Sequence, residues 1–165
     1  MALVVEDGSK VTGANSYNTE AEIVAYAAMF GVTVTTADAE KYVLRNRSYF
    51  DSQNYQGTQV EYGVQALPFP RNYVYLENNL LAYTAIPALL KKAEAEGALL
   101  LAQGYDLQGT VTTANYIKEK SFASFKKVYS DNAVDTNIYP RLNALLDPLL
   151  EENHGAHFRV DRSYG

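Results

Sequence analysis

The sequence predicts a mainly α protein: a small bundle of about four helices with a short β-hairpin and extended N- and C-terminal arms. Three observations carry this. The stretch Ile86–Gly104, IPALLKKAEAEGALLLAQG, has a written start and stop, because Pro87 suits a first helical turn and Gly104 suits the left-handed position just past the end. Thr19 and Glu22 form a T-x-x-E capping box ahead of an apolar helical pattern. A leucine-rich segment, Ile138–Leu150, repeats that pattern near the end of the chain.

In chain order, Met1–Val5 is a short apolar run stopped by Asp7, Gly8 and Ser9, an arm or edge strand ending in a turn. The first helix follows Thr19, with Ile23, Val24, Tyr26, Ala27 and Phe30 at helical spacing before Gly31. Thr36 can cap the second, with Asp38 and Glu40 in an acidic first turn and Ala39, Val43, Asn46, Tyr49 and Phe50 inward, Arg45 and Arg47 elsewhere. Residues 55–63 read as loop, as do 72–84, although Leu76–Tyr83 could hold a helical turn. Between them Pro68 and Pro70 force an extended path.

Ile86, Leu89, Leu90, Ala93, Gly97, Leu100 and Leu101 share one broad face of the central helix, which places Lys91, Lys92, Glu94 and Glu96 mostly away from it. Ala93 and Gly97 form a strip of small residues open to a close-packed backbone, part of it across a subunit boundary. Tyr116–Tyr129, YIKEKSFASFKKVY, suits two short strands turning near Ser121–Ser124, or a helix. In the last helix Pro140 lies in the first turn, Leu142, Leu145, Leu146, Leu149 and Leu150 form the apolar face, and Pro148 ends or bends it. The organisation expected is one domain over 1–150 and a C-terminal extension over 151–165. In that extension Phe158, Val160 and Tyr164 alternate with Arg159, Asp161 and Arg162, a pattern that suits a strand added to something else.

The absence of cysteine excludes disulfides, thiolate metal sites and thiol nucleophiles. No apolar run approaches membrane-spanning length and no leader precedes the first helix, so a soluble protein made in the cytoplasm, with no membrane partner, is expected. A net charge of −5 counts against a protein whose main task is to hold nucleic acid. Fourteen Tyr and no Trp favour surfaces that meet other surfaces.

The search for catalysis is negative: no glycine-rich phosphate loop, no G-x-S-x-G, and histidines only at His154 and His157. Three apart, these could share a metal with Glu151 or Glu152 on a helix, but beside Gly155 in a polar tail they read as solvated. No enzyme, cofactor or metal is expected. Lys118, Lys120, Lys126 and Lys127 interleave with Tyr116, Phe122, Phe125 and Tyr129. That is how a single-strand binding surface is built, lysines along the phosphates and rings under the bases. The plainer reading is a hairpin whose lysines protect an exposed edge.

Leu3-Val4-Val5-Glu6-Asp7-Gly8 with Gly13-Ala14-Asn15-Ser16-Tyr17, then Gln65-Ala66-Leu67-Pro68-Phe69-Pro70-Arg71, then Ile86-Pro87, resemble a family of small tailed-phage proteins. It carries the label DnaT-like single-stranded DNA-binding protein and is similar in helical layout to head-tail connector, or adaptor, proteins. The resemblance runs from about Leu3 to Leu150 in motif order, departing at Phe69, where Trp is expected, and in the long polar loop 53–63. Resemblance to connectors implies a homo-oligomeric ring, commonly of twelve copies, at the virion neck. Its partners would be the portal protein and tail or neck proteins, with double-stranded DNA passing the channel without specific contact. In that reading Phe158, Arg159, Val160, Arg162 and Tyr164 meet the portal or a neighbouring subunit. The alternative is the label taken literally, a replication accessory protein binding single-stranded DNA through the four lysines.

Overall fold

The computed structural model describes residues 2–107 and 139–151, together with the backbone of two strands over 119–122 and 125–128. The elements in order are α1 (Glu20–Met29), α2 (Thr36–Asp51), β1 (Thr58–Gln59), β2 (Arg71–Asn72), β3 (Tyr75–Leu76), β4 (Asn79–Leu80), α3 (Ala88–Ala102), β5 (Glu119–Phe122), β6 (Phe125–Val128) and α4 (Pro140–Leu146), which runs into a 3-10 turn at Asp147–Leu149. The fold is helix-rich and mixed. Its strands form three two-stranded antiparallel pairs, so there is more β structure than the single expected hairpin.

The start of α1 follows its sequence. Thr19 Oγ1 accepts from the Glu22 amide at 3.2 Å, and Glu22 Oε2 accepts from the Thr19 amide at 2.7 Å. At α2 the cap is Thr35, one residue before the expected Thr36; its Oγ1 accepts from the Asp38 amide at 3.1 Å. Only from Thr35 does the third helical position fall on an acidic side chain, Asp38, and a short Asp is useful there beside the positive helix end. Pro87 likewise sits at the cap of α3, extended at ψ 135, with Ala88 the first helical residue. The far end of α3 closes as predicted. Gly104, at φ 89, donates to the Leu101 carbonyl and Tyr105 donates to that of Leu100. This paired closure requires a left-handed residue that glycine adopts without strain.

Helices α1, α2 and α4 all pack on α3. Every residue from Ala93 to Leu99 is therefore buried, Glu94 and Glu96 among them at 5% and 2% exposure. This corrects the expected polar face for Glu94 and Glu96, while Lys92 is exposed and Lys91 partly so; the middle of the helix is enclosed, and periodicity cannot reveal that. The small-residue strip is also accounted for within the chain. A Cβ at Gly97 would lie 3.0 Å from Asn46 Nδ2 and 3.3 Å from Phe50 Cε2, so the close neighbour is α2 rather than another subunit.

The segment expected as loop carries β1–β4. Thr58 pairs with Asn72 and Gln59 with Arg71, while Tyr75 pairs with Leu80 and Leu76 with Asn79. In place of a helical turn at Leu76–Tyr83 there is a tight hairpin whose turn residues, Glu77 and Asn78, both have positive φ, at 49 and 64. Two-residue ladders lie below what alternation can signal. The N-terminal arm makes one parallel bridge, Val5 to Ser16, rather than an edge strand. The last helix ends at Leu146, with Pro148 in the following 3-10 turn; Leu142, Leu146 and Leu149 are buried and Leu145 and Leu150 partly so.

Candidate nucleic-acid interface

The residues quoted for the family resemblance converge on α3. Glu94 Oε2 accepts from Ser16 Oγ at 3.0 Å and from Asn18 Nδ2 at 2.7 Å, and the Tyr17 amide donates to both carboxylate oxygens. Burial pushes the Glu94 carboxyl up to about 7, against the opposing pull of the Tyr17, Asn18 and Ser16 donors. The Tyr17 hydroxyl in turn accepts from the Phe69 amide at 3.0 Å. Phe69, where the resemblance expects Trp, is buried edge-on against Tyr55 at 5.3 Å between ring centres. Glu6 closes the first turn: Oε1 accepts from the Gly8 and Lys10 amides and Oε2 from Val11, all within 2.9 Å.

These motifs therefore serve the scaffold. Their basic residues do the same. Arg47, expected to point away from the core, donates to the Ala14 and Ala66 carbonyls and pairs with Asp51 at 3.2 Å. Arg71 donates through Nε to the Gln56 carbonyl at 2.7 Å and through Nη2 to those of Tyr55 and Gly57. Lys10 pairs with Glu61, Lys91 with Glu22 at 3.1 Å, and Arg141 with buried Glu96 at 3.0 Å while lying 4.3 Å over the Phe30 ring. Much of the cationic capacity of the helical body is spent on its own carbonyls and carboxylates.

Lys41, Arg45 and Lys92 remain exposed on the helical body, and the densest run of lysines in the sequence falls at the hairpin β5–β6. Its register pairs Glu119 with Val128, Lys120 with Lys127, Ser121 with Lys126 and Phe122 with Phe125. The two lysines thus occupy directly opposed positions, one step along the ladder from Ser121 and Lys126. Like charges opposite one another destabilise a strand pair unless an anion lies between them. Lys118 falls outside the described residues. So do Tyr116, Tyr129, the two histidines and the whole predicted interface of Phe158, Arg159, Val160, Arg162 and Tyr164.

Among the described residues no group of three or more His, Cys, Asp or Glu could hold a metal ion, and no helix is long and apolar enough to cross a membrane. What sequence reading missed here is the buried pair Glu94 and Glu96. The available signal was the alanine and glycine content around them, which marks a helix approached closely on several sides.

No curated protein and no solved structure matches the chain significantly. A family model described as "Putative DnaT-like ssDNA binding protein" matches residues 1–163. That match carries no indication of a head-tail connector role; what it shows of the resemblance is the family. The chain belongs to the DnaT-like ssDNA binding protein family.

Proposed function

We propose that this protein is a non-catalytic binder of single-stranded DNA and that the hairpin β5–β6 is its phosphate-contacting element. The observation that carries the reading is the register placing Lys120 opposite Lys127 and Phe122 opposite Phe125, which suits a polyanion with unstacked bases better than it suits an isolated hairpin. Four lysines against one glutamate between Tyr116 and Tyr129 make this stretch locally basic in a chain of net charge −5. The family description supports the same ligand.

The test is fluorescence anisotropy of a labelled oligonucleotide at increasing salt. If all four lysines meet phosphates, log affinity falls against log salt with a slope of about −3, roughly a fifty-fold loss between 50 and 200 mM. Replacing Lys118, Lys120, Lys126 and Lys127 by Glu abolishes binding. Absence of binding by the unaltered protein at low salt overturns the proposal.

A second reading, a passive subunit of a phage neck ring attached to the portal, draws on the acidic balance and on the engagement of Arg47, Arg71 and Arg141 within the fold. It predicts the protein in purified virions and a ring-sized mass on assembly. Its presence in infected-cell extracts but not in particles contradicts it.

A further inference from the structure

Among the described residues the hairpin β3–β4 is covered on one side only, where β3 meets the 3-10 turn at Asp147–Leu149 and Leu76 and Leu81 pack on the core. Two-stranded hairpins are marginal in water unless another strand or a packed layer covers them. Val74 anchors it in the core, and the Val74 carbonyl accepts from the Leu81 amide at 2.9 Å. The register-paired Tyr75 and Leu80 are nevertheless 49% and 57% exposed, flanked by Tyr73 and Tyr83 at 69% and 61%. Glu77, exposed at the turn, gives this apolar face an acidic end.

The chain leaves its described part beside this face. Leu150 bridges antiparallel to Tyr55, and the Glu151 amide donates to the Asn54 carbonyl at 2.8 Å. Gln56 connects the exit to the hairpin: its Nε2 donates to the Pro148 carbonyl at 2.9 Å and its Oε1 accepts from the Tyr75 amide at 3.1 Å. Fourteen residues follow Glu151. Extended, they reach up to about 46 Å, far more than a short hairpin requires. In an extended segment Phe158, Val160, Arg162 and Tyr164 fall on one face and Arg159, Asp161 and Ser163 on the other, so the first face offers apolar side chains to Tyr75 and Leu80 and, in Arg162, a cation to Glu77.

We propose that the C-terminal segment 152–165 docks on the exposed Tyr75–Leu80 face of its own chain, as a third layer over β3–β4. The occupant is the chain's own segment rather than that of a second copy because a short tether raises its effective concentration to the millimolar range, above that of any neighbour in dilute solution.

Hydrogen exchange on the full chain tests this. With segment 152–165 in place, the amides of residues 73–83 are protected to the same degree at two protein concentrations a hundred-fold apart. Phe158→Asp combined with Val160→Asp speeds their exchange several-fold without altering that of α3. Equal exchange in the variant and the unaltered chain overturns the proposal, and so does protection that develops only at the higher concentration, which would assign the face to a second copy. The absence of native cysteine permits an independent check. Leu80→Cys with Val160→Cys forms an intramolecular disulfide on mild oxidation, whereas Met29→Cys with Val160→Cys does not. A bridge that links two chains, or none above the Met29 control, contradicts docking within the chain.

Discussion

The backbone amide of Tyr17 donates to both carboxylate oxygens of Glu94, at 3.1 and 3.0 Å, joining positions separated by 77 residues of chain. Through this contact the N-terminal loop is fixed to the middle of α3, and through the Tyr17 hydroxyl it is fixed again to the Phe69 amide. One residue thus ties three sequence motifs together.

The first prediction concerns Glu94 and pH. Its folded-state pKa of about 7 lies above the ordinary 4.5, so the folded chain retains a proton that the unfolded chain releases. The contribution is fully present below about pH 4.5 and is lost as pH rises through 7, by roughly 3 kcal/mol in total. Chemical denaturation at pH 5 and pH 8 measures it. Unaltered protein loses stability over this window relative to Glu94→Gln, whose amide does not titrate; parallel profiles would contradict the assignment.

Tyr17→Phe removes the acceptor from the Phe69 amide while keeping the ring. A buried N–H is then left without a partner, and the expected loss is about 1–3 kcal/mol. Urea midpoints compare the two proteins, and the m-value should stay unchanged because the compactness of neither state is altered. A midpoint equal to that of the unaltered chain would show that this hydrogen bond contributes nothing.

Arg141→Ala leaves the buried Glu96 carboxylate with the Tyr26 hydroxyl, which donates to it at 2.9 Å. The cost expected is about 2 kcal/mol, from loss of a charged hydrogen bond to a buried group. Since Arg141 belongs to α4 and Glu96 to α3, exchange of α4 amides should accelerate more than that of α2. Uniform acceleration would mean that the pair does not hold α4 in place.

Much of the helical layout was legible because its signals are local. Thr19 with Glu22, and Gly104 after the last leucines, specify backbone conformations whatever surrounds them. Tertiary surroundings decided the rest. Glu94 and Glu96 read as surface residues because each is charged and off the apolar stripe, yet three helices enclose α3, the loop at Ser16–Asn18 supplies hydrogen bonds to Glu94, and Tyr26 and Arg141 supply them to Glu96. Arg47 read as pointing away from the inward face of its helix, but it binds the Ala14 and Ala66 carbonyls, far away in sequence. Strands of two residues carry no alternation to detect. In the candidate interface, the Lys and Phe pattern was legible as strand-prone and basic, but which lysine opposes which follows from the register alone.

The most direct measurement of the central claim is the salt dependence of oligonucleotide binding by the unaltered protein beside a variant carrying Lys120→Glu and Lys127→Glu. The account predicts binding at low salt with a slope near −3, reduced in magnitude by about half in the variant, together with a large loss of affinity. No binding at low salt, or equal binding and equal slope in both proteins, would contradict it.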